Sequence, residues 1–112
     1  MKRELEPCPC CGRRTLAEIR ADCICGVCWW HDDGQDNSEA DVVRGGPNAD
    51  LSLTQARVNA LQSGIFDPRR ADLGTTQAAK EAYAVGRTFV LSDDKSAIME
   101  PATGWKSRAF MA

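Results

Sequence analysis

All six cysteines of this 112-residue chain fall in one stretch, from Cys8 to Cys28. They group as Cys8-Pro9-Cys10-Cys11-Gly12 and as Cys25-Gly26-Val27-Cys28, with thirteen residues between Cys11 and Cys25. Two thiolates separated by two residues, in a turn that Gly or Pro makes easy, point at one tetrahedral ion with sulfur–metal bonds of about 2.3 Å. Two such turns complete a four-sulfur site. The chemistry implied is the binding of one structural Zn2+ by Cys8, Cys11, Cys25 and Cys28. Pro9 sets the entry to the first turn, and Gly12 is free to take a positive φ there.

Cys10 and Cys23 are left over, and they allow other ligand pairs: Cys8 with Cys10, and Cys23 with Cys25, at a tighter spacing. Disulfides are the competing use of the cluster. The first four residues, Met-Lys-Arg-Glu, begin no apolar segment of the kind an export signal needs, so a reducing, cytoplasmic setting is expected. The adjacent Cys10 and Cys11 would also bridge poorly. A third use makes Cys10 a reactive thiol, its pKa lowered by a metal or by Arg13 and Arg14.

Little else in the chain could carry covalent chemistry. His31 is the sole histidine, and no Ser-His-Asp order is present. A catalytic zinc keeps one position open for water, whereas four cysteines close the site. The expectation is therefore a non-enzymatic protein. The acidic stretch after His31, Asp32-Asp33-Gly34-Gln35-Asp36, invites a calcium reading, but its Gly comes third where a calcium loop needs it sixth. It reads instead as a solvated turn whose carboxylates accept backbone N–H groups, or as a negative face for a basic partner. The candidate partner-binding residues are Asp32, Asp33, Asp36, Glu39 and Asp41.

Length and charge bound the rest. A chain this small buries a marginal core, so a metal site has a structural role available. The formal net charge is −2 with thiols neutral; four thiolates around one divalent cation make it two units more negative. Such a chain is a poor general binder of phosphate backbones. Lys2, Arg3, Arg13, Arg14 and Arg20 nevertheless make the cysteine end locally basic, which offsets thiolate charge. No apolar run is long enough to span a bilayer.

The elements that must position the cysteines are short. Residues 1–7 read as a charged arm, residues 14–20 as a ribbon strand, and Cys23-Ile24 as its return strand. Trp29 and Trp30, if extended, point to opposite sides, so at least one is core. Gly45-Gly46-Pro47-Asn48 is a turn; it lacks the Lys-Ser/Thr of a phosphate loop. The best-signalled helix follows, with Ser52 as N-cap, Gln55 completing a capping box, Leu53, Ala56, Ala60 and Leu61 on its apolar face, and Gly64 as its stop. Arg57 and Asn59 fall on other sides, with Arg57 placed to bond Asp32 or Asp33. Ile65 and Phe66 pack back. A second helix is expected over residues 77–85, capped by Thr75 or Thr76 and ended by Gly86. Residues 88–91 and 97–99 read as a β-hairpin. Trp105, Phe110 and Met111 close the chain, docked or exposed to a partner.

Taken in order, Cys-Pro-Cys-Cys-Gly, Ile24-Cys25-x-Val27-Cys28-Trp29-Trp30-x-Asp32-Asp33-Gly34-Gln35-Asp36, Gly45-Gly46-Pro47-Asn48 and Ser52-Leu53-x-x-Ala56-Arg57-x-Asn59 resemble the bacterial cysteine-rich CPCC domain family over residues 7–66. Three positions depart from its pattern: Cys23 is extra, Gly26 stands where Pro is expected, and His31 where an acidic residue is expected. The resemblance implies a zinc-ribbon-like domain and no particular activity.

The expected architecture is a small α+β fold. A zinc-ribbon-like domain with a following helix occupies 1–66, and a helix and β-hairpin packed on it occupy 67–112. The expected function is a zinc-stabilised protein-binding module, an immunity protein that neutralises a bacterial toxin through its acidic face or through its C-terminal segment. The alternatives are a nucleic-acid-binding ribbon using Arg13, Arg14, Arg20 and an exposed Trp29 or Trp30, and a thiol or metal sensor using Cys10 and Cys23.

Overall fold

The computed structural model describes residues 5–70 and 72–109. Lys2, Arg3, Phe110 and Met111, to which the sequence assigns roles above, lie outside the described residues. The fold is small and α+β, with the cysteine cluster and a two-stranded ribbon first, one good helix, then a short helix and a three-stranded antiparallel sheet.

The ribbon is built differently from its expected plan. Strand β2 (Arg14–Leu16) pairs with β1 (Glu6–Pro7), so the last two residues of the arm form a strand. The expected return strand folds back elsewhere: Ile24 bridges His31, and Asp32 N–H donates to Cys23 O at 2.9 Å. Each cysteine pair thus sits in its own hairpin. Around the first, Cys8 N–H reaches Arg13 O at 2.8 Å and Gly12 N–H reaches Cys8 O at 2.9 Å. Around the second, Cys25 N–H reaches Trp30 O at 2.9 Å and Trp29 N–H reaches Cys25 O at 3.0 Å. Trp29 takes a left-handed φ of 70° in this turn. The two tryptophans still separate: Trp30 has no exposure and packs edge-on to Phe66 with centroids 6.0 Å apart, while Trp29 is 37 % exposed.

Residues 84–87 close the first hairpin from the far end of the chain. Gly86 and Arg87 both donate backbone N–H groups to Gly12 O, at 2.8 and 2.9 Å, and Arg14 N–H donates to Ala84 O at 2.8 Å. Gly12 has φ 83°, and a Cβ there would lie 1.9 Å from Arg87 O. Gly12→Ala is expected to cost about 2–3 kcal/mol from strain and overpacking together, read as a lower urea midpoint at unchanged slope.

Helix α1 (Leu53–Ser63) follows its caps. Ser52 Oγ accepts Gln55 N–H at 3.1 Å, and Gly64 takes φ 85° at the C-terminus. The Gln55 side chain turns to Asn59 Oδ1 rather than back to the cap. The inward stripe is Leu53, Ala56, Arg57 and Ala60, with Thr54 and Val58 beside it. Leu61, expected on that stripe, is exposed, and Arg57 takes the buried place instead. Phe66 N–H then donates to Cys28 O at 2.9 Å, tying the end of the helix to the second cysteine hairpin.

Helix α2 is shorter than expected, Gln77–Glu81, capped by Thr76 whose Oγ1 accepts Ala79 N–H at 3.0 Å. Strands β3 (Val90–Leu91) and β4 (Ala97–Glu100) form the expected hairpin. β5 (Trp105–Arg108), unexpected from sequence, adds to β4 and carries Trp105 into the interior. One core cluster joins Cys8, Cys25, Cys28, Leu16, Trp30 and Phe66 to α1; the other places Val58 of α1 against Phe89, Ile98 and Ala109.

Candidate metal centre

The two hairpins bring Cys8, Cys11, Cys25 and Cys28 together, with all four sulfurs within 4.8 Å of one another. Cys8 Sγ lies 3.7 Å from Cys28 Sγ, and Cys11 Sγ 3.7 Å from Cys25 Sγ. A tetrahedron of sulfurs about 2.3 Å from its centre has edges of about 3.8 Å, so the donor set fits a zinc-sized ion. All six thiols are free, which sets disulfides aside in this structure. Cys10 is buried beside the cluster but outside the group of four, and Cys23 is also outside it. His31 does not join either: its Nε2 is 3.0 Å from Asp22 Oδ1.

The surroundings favour thiolate at Cys25 and the neutral thiol at Cys8 and Cys28. Cys10 N–H points at Cys8 Sγ, and the N–H groups of Val27 and Cys28 point at Cys25 Sγ, each at 3.4 Å. Thr15 Oγ1–H donates to Cys25 Sγ at 3.0 Å, a contact the sequence does not announce. Hydrogen bonds from Cys11, Cys28 and Cys8 hold the Cys25 thiol far below its ordinary pKa, with Thr15 adding to them. Burial pushes Cys8 and Cys28 well up. A cation entering the site therefore displaces protons from buried thiols, and its binding weakens as pH falls.

The basic residues expected around the cluster are partly occupied. Arg13 Nη1–H donates to Tyr83 O at 3.1 Å and Arg14 Nη1–H to Leu5 O at 3.2 Å. Arg20 is exposed.

The acidic stretch divides into an inner and an outer set. Asp32 is 2 % exposed and accepts Arg20 N–H at 2.6 Å and Gly34 N–H at 3.3 Å. Asp36 turns inward to Arg87, which reaches its two oxygens at 3.0 and 3.1 Å. Asp33 and Glu39 are half-buried and Asp41 is exposed, the last bonded by Thr54 Oγ1–H at 2.7 Å.

Arg57 is fully buried and meets Asp36 rather than Asp32 or Asp33. Its Nε–H donates to Pro9 O at 2.7 Å, inside the first cysteine turn, and its Nη1–H to Asn37 Oδ1 at 2.8 Å. The guanidinium lies 4.2 Å from the Phe89 ring centroid and 4.4 Å from that of Trp105. The reason is geometric: one turn of helix separates Arg57 from Leu53, so its stem shares the inward stripe and its head must find partners inside.

Arg87 completes the network by a bidentate pair on Glu100, 2.8 and 2.9 Å. Those bonds, with Asn37 and Thr103 adding others, hold the Glu100 carboxyl at about 2 against an ordinary 4.5. A depressed carboxylate stabilises the fold above its unfolded pKa and loses that contribution as pH falls toward its folded value. The stability gap between wild type and Glu100→Gln is therefore expected to be on the order of 2 kcal/mol at pH 5 and to narrow at pH 4, measured by urea melts of both chains. Protonation of the thiols affects both chains alike, so the gap isolates Glu100.

Asn48 is a further residue that sequence reasoning left as turn chemistry. Its Oδ1 accepts His31 N–H at 3.1 Å and its Nδ2–H donates to His31 O at 2.8 Å, acting as a one-residue strand beside the second cysteine hairpin.

A family model described as Cysteine-rich CPCC matches residues 6–81. The match extends past residue 66, where the resemblance read from sequence ends, to the last residue of α2. No curated protein and no solved structure matches the chain. No helix among the described residues is long and apolar enough to cross a membrane.

Proposed function

For a chain that belongs to the Cysteine-rich CPCC family, we propose a non-enzymatic protein-binding module whose fold is held by one structural zinc on Cys8, Cys11, Cys25 and Cys28. Its partner class is a bacterial toxin with a basic surface, which the chain occludes as an immunity protein in the cytoplasm. When bound, the zinc supplies a covalent-strength cross-link between the two cysteine hairpins. The chain's own residues do the rest: backbone N–H groups and Thr15 orient sulfur, and Arg57 fixes the first turn to α1.

One observation carries the partner reading. Val42 and Val43, 52 % and 53 % exposed, stand beside Asp41 and near Glu39 and Asp33 in sequence. Exposed apolar side chains with an acidic rim suit a protein surface that is apolar at its centre and basic around it. The inner carboxylates, Asp32 and Asp36, serve by holding this segment's shape.

The test is recovery of the tagged chain from its host cells, followed by native mass spectrometry. Expected are one zinc per chain and a basic protein partner, whose toxicity the chain suppresses on co-expression. Val42→Asp with Val43→Asp should lose the partner while zinc content and melting temperature hold. A zinc-loaded chain recovered alone, or with nucleic acid that salt displaces, overturns the partner reading.

A further inference from the structure

A four-sulfur site is as inert as its most accessible sulfur. Cys8, Cys25 and Cys28 have no exposure and Cys10 has 1 %, which seals them from any reagent in solution. Cys11 is part-exposed. It opens on a cleft of about 150 Å³ lined by Arg13, Val27, Leu61, Gly64 and Lys80. The cleft is cationic at its mouth. Lys80 forms no ion pair among the described residues, and Arg13 donates from one nitrogen to the Tyr83 carbonyl, leaving its positive charge unneutralised. Behind Cys11, the Cys25 sulfur waits at 3.7 Å. A disulfide bond is about 2.05 Å long, so the two sulfurs need close by roughly 1.7 Å to join.

A sulfur reached from solvent, a second sulfur at its back and two cations at its mouth constitute a thiol–disulfide exchange centre. We propose that Cys11 is a modification site for small anionic disulfides, and that its reaction opens the metal site through a Cys11–Cys25 disulfide. The inference rests on the zinc reading above. The Cys11 thiolate attacks one sulfur of the incoming disulfide, forming a mixed disulfide and expelling one thiolate. The Cys25 thiolate then attacks the Cys11 sulfur, forming the internal disulfide and expelling the second thiolate. Two protein thiolates are oxidised by two electrons, the reagent is reduced by two, and two of the four donors to the cation are lost. Lys80 and Arg13 gather the anionic reagent and stabilise the departing thiolate. The sensor alternative read from sequence thereby moves from Cys10 and Cys23 to Cys11 and Cys25, because Cys10 is sealed.

Lys80 and Arg13 have a simpler use, offsetting cluster charge and, for Lys80, facing the C-terminal end of α1 near Gly64. The experiment separates the two. The full chain as purified from host cells is first weighed by native mass spectrometry for zinc. It is then treated without oxygen with equal concentrations of oxidised glutathione, which is anionic, or cystamine, which is cationic. Zinc release is followed with a chromogenic indicator, and the modified cysteines are mapped by mass spectrometry. The expected result is one disulfide consumed per zinc released, a Cys11–Cys25 bridge, and release roughly threefold faster with the anionic reagent. That preference should vanish in Lys80→Gln with Arg13→Gln, and Cys23→Ser should react as wild type does. A chain that reacts first at Cys23 and keeps its zinc overturns the proposal, as does a charge preference that survives both substitutions. A chain purified without metal overturns the zinc reading and this inference together, whereas a zinc-loaded chain with Cys11 unmodified overturns this inference alone.

Discussion

Removing zinc from the four-sulfur site with a chelator, or replacing Cys25 by Ser, is expected to unfold the chain. A structural zinc in a small domain contributes on the order of 10–16 kcal/mol to folding, as large as the whole stability of a typical domain. Cys25 is the sulfur with most to lose. It is buried, it accepts the Thr15 hydroxyl, and it sits in the core beside Trp30 and Leu16. The loss reads as collapse of the near-ultraviolet circular dichroism of the buried tryptophan and of the melting transition. Cys23→Ser serves as the control, keeping zinc and melting within a few degrees of wild type, because Cys23 engages Asp32 through its backbone carbonyl. A chelated chain that melts where the untreated chain does would sink the structural role of the metal.

The second large effect is expected at Arg57. Arg57→Met keeps the stem and removes the charged head from between Phe89 and Trp105. Asp36, Asn37 Oδ1 and Pro9 O then each lose a donor in the interior. Asp36 keeps Arg87, so the cost falls on the buried Pro9 carbonyl left without its donor, about 1–3 kcal/mol, and on the lost packing between the two rings. Burial lowers the Arg57 pKa to about 10, so the head remains charged at neutral pH and its pairing matters there. Arg57→Lys should recover less than half of the loss, since the donors of an ammonium radiate from one atom and cannot reach the three partners that Nε, Nη1 and Nη2 serve. Urea midpoints of the three chains measure this. A Met variant within about 1 kcal/mol of wild type would show that the aromatic sandwich alone carries the site.

What could be read from sequence was local. The cysteine spacing places four ligand-type sulfurs in two turns, and those turns meet in the structure. Ser52 and Gly64 mark α1 within a residue, since caps act over one turn. What could not be read is set by distant partners. Glu6-Pro7 carries a proline and no alternation, yet becomes a strand because β2 lies beside it. Trp-Lys-Ser-Arg lacks a strand's apolar face, yet it pairs with β4 along its whole length. Arg57 occupies an inward position that a count of apolar residues discards. Arg87 and Glu100 carry no local mark of their bond to each other, and the half-buried Asp36 turns inward because Arg87 reaches it.

The closure of the first cysteine hairpin by residues 84–87 sets an order of events during synthesis. Gly12 leaves the ribosome more than seventy residues before the backbone N–H groups of Gly86 and Arg87 that saturate its carbonyl. Until they emerge, the nascent chain lacks the backbone bonds that close its first cysteine hairpin. Contacts of such wide sequence separation make folding slow, because the loop must be closed before the contact returns any stability. A metal that joins the two hairpins early shortens that search, leaving residues 84–87 to add to a preformed edge. Chains truncated at residue 81, where the family match ends, should therefore bind zinc at the ribosome yet stay protease-sensitive at the first hairpin.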